Sequence, residues 1–308
     1  MVPFGYPATG FGILQRRRQL LVLSLNPGDC CEFERWSMTR LVLEAGRADS
    51  QYWRELWRYR ELFIILAWRD LAVRYKQTVI GVAWALIKAL ATLLVLTVVF
   101  GRLAKMPSGG VPYPLLVLAG VLPWQFFAGA LTDCSNSLVA GAALISKIHF
   151  PRMIVPGSAV IVNLVDFLIS CLVLALLFLW YGFAPDWRIL TLPLFGVLAV
   201  VLSFGMGLWL AALMVAYRDF KFIVPFALQI GLYASPVGFS SSAVPEGWRL
   251  LYSLNPMVGV IDGFRWAILR GPSLYYPGLL LSLIMTSLLL ATGMRYFRRT
   301  ERTFADVI

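Results

Sequence analysis

Few positions in the 308-residue sequence combine a reactive side chain with surroundings that would let it do chemistry. The single histidine, His149, cannot build a multi-histidine metal centre or a proton relay. Cys30, Cys31, Cys134 and Cys171 lack the C-x-x-C spacing of zinc and redox sites and read as free thiols. Asp133, Asp166 and Asp219 are too scattered to form an acid–base pair by sequence. No G-x-x-x-x-G-K-S/T run occurs, so the chain cannot cradle and split ATP by that route. What is left is charge placed where charge is expensive. Lys88 lies nine residues into an apolar run that starts at Val79, about 14 Å deep at helical rise and beyond easy snorkelling. Facing lipid there would cost about 3 kcal/mol, so Lys88 must face protein or a wet path. Asp166, inside another apolar run, is its candidate partner.

The elements that must position these residues are membrane helices. The chain is 59% hydrophobic and 14% charged, against roughly 25% charged in soluble domains. From Val79 onward too few charges remain to cover a water-soluble surface, which excludes a soluble enzyme. The net charge of +11 sits mostly beside apolar runs, so lipid headgroups are the expected partner and nucleic acid is not. Six runs are long enough for a span: Val79 to Gly101, Tyr113 to Cys134, Met153 to Tyr181, Ile189 to Tyr217, Phe222 to Phe239 and Leu274 to Tyr296. Pro123, Pro156, Pro193 and Pro225 invite kinks. With the N-terminus inside, the cytosolic segments hold 20 Lys and Arg against six in the outer loops, which puts both termini in the cytosol.

Three stretches outside the spans stand apart. Residues 1–38 carry no sustained period and read as disordered or as an upstream extension; no cleaved signal is expected there. Within residues 39–78, Trp53, Leu56, Trp57, Phe63, Ile64, Ala67 and Leu71 share one helical arc opposite Arg54, Glu55, Arg58 and Glu61, which predicts an amphipathic helix in the membrane interface. Residues 79–308 then form the spanning domain. Between Ser235 and Gly271, prolines and glycines forbid one continuous span, while Leu250, Leu251, Leu254, Met257, Val258, Val260 and Ile261 are too apolar for a free loop. Two short re-entrant helices are expected there.

The run Arg69-Asp70-Leu71-Ala72-Val73-Arg74-Tyr75-Lys76-Gln77-Thr78-Val79-Ile80-Gly81-Val82-Ala83-Trp84 resembles the R-D-L-x-x-R-Y-K-x-S-x-L-G-x-x-W signature of polysaccharide and polyol-phosphate export permeases, the membrane subunits of ABC-2-type exporters. Leu122-Pro123-Trp124, Asn136-Ser137-Leu138-Val139, Phe150-Pro151-Arg152, Tyr217-Arg218-Asp219, Ala234-Ser235-Pro236, Leu254-Asn255-Pro256-Met257 and the tail from Arg298 to Ile308 extend the resemblance in order from about residue 39 to the end. Each motif is weak alone, and the ordered set is specific. The chain departs from the pattern at Lys88-Ala89-Leu90, where Gln-Pro-Leu is common, so a kink at that point is not expected.

The resemblance implies an all-α membrane protein with six spans, an N-terminal interface helix, a cytosolic coupling helix and outer gate helices. It implies a homodimer in the bacterial inner membrane, working with two copies of a separate ABC ATPase that binds the ATP and Mg2+. No cofactor is expected in this chain. The coupling helix falls at Ser137 to Arg152, with Ile145, Ile148 and Phe150 as apolar anchors and Ser146, Lys147, His149, Pro151 and Arg152 beside them. Trp57, Arg58, Arg69, Asp70, Arg74, Tyr75 and Lys76 are implied near the ATPase and the cytosolic mouth. Lys88, Phe100, Trp124, Phe126, Phe127 and Asp166 become candidates for the path, and Pro236, Trp248, Tyr252, Asn255, Pro256 and Trp266 for the outer gate. The cargo implied is a lipid-linked glycan, which Lys88 could touch through an anionic group instead of pairing with Asp166. Aromatic rings serve interfacial belts as well as sugar stacking, and the coupling stretch reads equally as a plain turn by sequence. Teichoic-acid or drug export, a passive channel or ion-coupled carrier, and a membrane transferase are the alternatives.

Overall fold

The computed structural model describes residues 49–76, 81–107, 110–148, 150–184, 186–269, 274–301 and 304. The expected 1–38 extension, His149 and most of the C-terminal tail lie outside them. Every regular element described is helical. Five helices are long and apolar enough to cross a bilayer, at Ala83–Leu103, Tyr113–Ala140, Ile154–Tyr181, Trp187–Ala216 and Tyr276–Thr300.

The amphipathic stretch forms α1 (Asp49–Arg58) and α2 (Arg60–Lys76). Helical hydrogen bonds pass through the join, from Tyr59 N to Glu55 O and from Phe63 N to Tyr59 O. The expected apolar arc divides: Ala67 is buried, while Trp53, Trp57 and Ile64 are exposed. α2 leans on the third spanning helix along much of its length, so its far end does not lie free on a surface.

The first span is α3 (Gly81–Leu96), which loosens into a π-helical turn at Thr97–Leu103. The helix passes through Lys88-Ala89-Leu90 without a break, as the missing proline predicts, and Ala89 is fully buried. α4 (Tyr113–Ala140) is the central helix: 78% of its most apolar window is buried, against 17% for the first span. A four-residue helix α5 (Ala142–Ile145) and a turn lead into α6 (Ile154–Tyr181). A short 3-10 segment then feeds α7 (Leu192–Ala216). Pro156 and Pro193 sit in first turns, where the missing N–H has no intrahelical acceptor to lose, while Pro123 and Pro225 lie inside helices that continue past them.

The fifth expected span differs most. Its helix α8 (Phe220–Ala234) has 15 residues and stops where Ser235 turns extended. That is about 22 Å of helix, short of the ~30 Å hydrocarbon core. The chain then makes a compact turn, α9 (Glu246–Tyr252) and α10 (Pro256–Leu269), the two short helices the sequence predicts, before α11 (Tyr276–Thr300). α10 is buried along most of its length among α4, α7 and α11. α7 and α11 meet backbone to backbone: a Cβ on Gly205 would stand 2.7 Å from Leu290 Cα. Small residues allow this approach, which supplies dispersion contact where lipid offers no hydrophobic drive.

Candidate functional site

A cavity of about 520 Å³ opens where α2, α3, α4 and α6 meet, lined by Arg74, Tyr75, Trp84, Lys88, Gln125, Phe126, Asn163, Asp166 and Ser170 among others. α2 delivers Arg74 and Tyr75 because it runs in the same direction as α6. Phe63 lies beside Gly157, Ser158 Oγ donates to Asp70 at 3.4 Å, and Arg74 reaches Asp166. Asp166 stands twelve residues into α6, so the end of α2 reaches about 18 Å along that helix.

Arg74 spans two carboxylates. One guanidinium nitrogen lies 3.0 Å from Asp133 on α4 and the other 3.0 Å from Asp166 on α6. Each carboxylate has a second donor: Asn163 Nδ2 to Asp133 at 2.7 Å, and the Tyr75 hydroxyl to Asp166. Burial, reinforced by the Asp166 acceptor, pushes the Tyr75 phenol above its ordinary range. The expected Lys88–Asp166 pair is therefore corrected, because Asp166 is engaged from the α2 side by Arg74 and Tyr75. Among the described residues Lys88 has no ion pair, and its side chain is exposed at the cavity. Its carbonyl accepts from Gln125 Nε2 at 3.2 Å, which ties α3 to α4.

Of the other expected path residues, Phe126 lines this cavity. Trp124 and Phe127 do not. Their rings meet at 5.6 Å, tilted by 50°, in the core, with Trp124 filling the space beside Gly231 of α8. Phe100 lies at the far end of the bundle, packed on Phe239. Arg69 and Asp70 pair with each other at 2.7 Å on the surface, and Arg58 and Lys76 are exposed.

The turn between α4 and α6 splits the expected docking residues. Ile145, Phe150 and Pro151 are buried, the first two in a cluster with Leu66, Leu138, Leu208 and Phe297 of the same chain, so they are not free to anchor a partner. Ser146, Lys147 and Ile148 are exposed, as is Val139 in the last turn of α4. Arg152 also turns inward. Its N–H donates to Glu301 Oε1 at 2.8 Å, its guanidinium donates to the Glu301 carbonyl, and it lies over the Phe304 ring. Tyr52 of α1 donates to the other Glu301 oxygen at 3.2 Å. Burial raises the Glu301 carboxyl above the usual range, opposed by these donors and by Arg298.

At the opposite end, Asn255 caps α10 by accepting from Met257 N at 3.1 Å and donates to Ser235 Oγ at 2.9 Å. Pro236 is buried and Pro256 opens α10, so these three expected gate residues shape the turn and do not line an opening. Trp266 lies under the Arg188 guanidinium at 5.1 Å. Trp248 is exposed, and Tyr252 borders a second cavity of about 510 Å³. Sequence reasoning missed Arg265, which is buried and donates to the carbonyls of Leu116, Val237 and Phe239. It set Asp133 aside as a scattered acid, although the fold brings it and Asp166 to the same guanidinium, and it missed Asn163, Tyr52 and Glu301. An acid within an apolar run needs a partner, a signal present at Asp133, but the partner's identity depends on the fold.

Comparison with known proteins fits this arrangement. The O-antigen export system permease protein RfbA of Klebsiella pneumoniae is 26% identical over 259 residues, covering 80% of this chain and 95% of the relative. Its Myxococcus xanthus namesake is 28% identical over 215 residues, covering 69% and 82%. The polysialic acid transport protein KpsM of Escherichia coli is 24% identical over 208 residues, covering 66% and 79%. A family model described as ABC-2 type transporter matches residues 61–269, from the first turn of α2 to the end of α10. Because that match takes in the cavity, the α4–α6 turn and the two short helices together, the chain belongs to the ABC-2 type transporter family.

Proposed function

We propose that the chain is the membrane subunit of an exporter that moves a lipid-linked polysaccharide, O-antigen or capsule-like, out across the bacterial cytoplasmic membrane. The observation that carries this reading is the end-to-end likeness to an O-antigen export permease, 95% of whose length is covered. ABC-2 permeases of export systems work with a separate ATPase, and this sequence has no phosphate-cradling motif of its own. The exposed Ile148 and Lys147 form the docking point for that ATPase, an apolar anchor with a polar rim.

In this reading the chain crosses six times, with α8 as a short fifth span. Arg152 touches Glu301, so the α4–α6 turn and the end of α11 share the cytosolic side. Tyr113 bonds Gly238 at 2.7 Å and Arg188 meets Trp266, so the α9–α10 region shares the outer side with the start of α4. α8 leads from the first side to the second, and the excess of basic residues sets the orientation. Two copies of the chain meet through the lightly buried first span and the α8 face carrying Phe222, Phe226, Ile230 and Tyr233, all exposed at helical spacing. Lys88, without an ion pair among the described residues, is the cation offered to an anionic group of the cargo.

Co-purification with the companion ATPase, followed by reconstitution into vesicles, tests the proposal. ATP-dependent transfer of lipid-linked glycan to the opposite face is expected from the complex only. Uphill transfer by the chain alone, or a chain that binds no nucleotide-hydrolysing partner, would overturn it.

A further inference from the structure

Three distant pieces of the chain converge on one carboxylate. Tyr52 and Glu301 are 249 positions apart, and Arg152 and Glu301 are 149 apart. One Glu301 oxygen accepts the Arg152 N–H, the other accepts the Tyr52 hydroxyl, and the Glu301 carbonyl accepts the Arg152 guanidinium. Aromatic rings close around the group. Phe297 and Phe304 are fully buried and meet edge to face at 5.5 Å, Arg152 lies over Phe304, and Arg298 lies 4.7 Å over Tyr52. A partly buried carboxylate is a costly way to fasten elements that apolar side chains could hold, so its directional bonds must be weighed for what they connect.

What they connect is the return limb of the α4–α6 turn. Residues 146–148 of the turn are exposed, whereas Arg152, two positions before α6 begins, has its main chain hung on Glu301. Glu301 directly follows α11, and α11 is locked backbone to backbone on α7 at Gly205. A displacement of the turn therefore has two exits. One runs along the chain into α6. The other crosses from Arg152 through Glu301 to the α11–α7 pair, and through Tyr52 to α1.

We infer that Glu301 is a positioning residue of the coupling apparatus, splitting the ATPase stroke received at Lys147 and Ile148 between α6 and the α7–α11 pair. This rests on the exporter reading above. Glu301 lies outside the 61–269 family match and apart from the exposed docking side chains.

The test uses the full chain assembled with its ATPase in vesicles, reading glycan exported and ATP hydrolysed in the same preparation. Glu301→Ala should still co-purify with the ATPase at wild-type stoichiometry, while glycan exported per ATP hydrolysed falls about tenfold. Glu301→Gln keeps an oxygen for the Arg152 N–H and should retain at least about half the wild-type ratio. An unchanged ratio in Glu301→Ala overturns the inference, as does a fall in Glu301→Gln as deep as in Glu301→Ala. A parallel loss of export and hydrolysis at equal complex abundance also overturns it, since a merely structural residue would give that. If Glu301→Ala does not reach the membrane, Tyr52→Phe decides: it removes one bond of the clamp and should lower the ratio about twofold, and an unchanged ratio refutes the clamp. A wild-type chain that pairs with no ATPase would sink the exporter reading, and it shows without any variant.

Discussion

Two arginines inside the bundle are held in opposite ways. Arg265 of α10 is only 7% exposed and gives its protons to main-chain carbonyls, those of Leu116, Val237 and Phe239. Arg74 at the end of α2 keeps 36% of its side chain exposed beside the cavity between α2, α3, α4 and α6 and bridges carboxylates on two different helices. A guanidinium bonded to the Val237 and Phe239 carbonyls of one tight turn and to the Leu116 carbonyl of α4 ties that turn to the central helix, because leaving would strand the turn's acceptors. A half-exposed guanidinium between two carboxylates instead pins the end of α2 to α4 and α6 through bonds that solvent screens. Without Arg74, Asn163 would still serve Asp133 and Tyr75 would still serve Asp166. The α10 end of the bundle is thus built as a fixed cap, and the cavity wall as a seam.

This contrast can be broken most sharply at Arg265. Arg265→Met should cost about 3 kcal/mol or more, because the Val237 and Phe239 carbonyls lose their donor. Thermal unfolding in detergent measures it, and a loss under about 1 kcal/mol would mean that the turn holds itself. Next in size is the seam. Arg74→Gln should cost only about 1 kcal/mol of stability after solvent screening, while a cycle with Asp166→Asn should return a coupling of about 0.5–1.5 kcal/mol. A cost as large as that at Arg265 would erase the distinction between seam and cap. Smallest is Lys88→Gln, expected to leave stability within about 0.5 kcal/mol because no ion pair is lost. Its export of lipid-linked glycan should nevertheless fall; unchanged export would remove Lys88 from the path.

Much of the fold was legible residue by residue. Apolar runs placed five spans within a few positions of where the long helices fall. The proline and glycine spacing after Ser235 announced two short helices. The absent proline beside Lys88 foretold an unbroken α3. The site was less legible. Lys88, Phe126 and Asp166 do line one cavity, but Trp124 and Phe127 fill the core, and Phe150 packs inward where the sequence offered it as a docking anchor. Aromatic and apolar side chains look alike in sequence whether they face lipid, a partner or their own core, since all three environments reward the same transfer free energy.

The sequence by itself determined that the chain lives in a bilayer, roughly where the long helices run, and that Lys88 and Asp166 carry a desolvation cost. These follow from composition and local periodicity, because backbone hydrogen bonds must close within each helix in lipid. Only the tertiary structure decided who the partners are: Arg74 and not Lys88 for Asp166, Glu301 for Arg152, main-chain carbonyls for Arg265. Such pairings join residues far apart along the chain, and their choice depends on helix rotation and relative depth, which hydropathy leaves free.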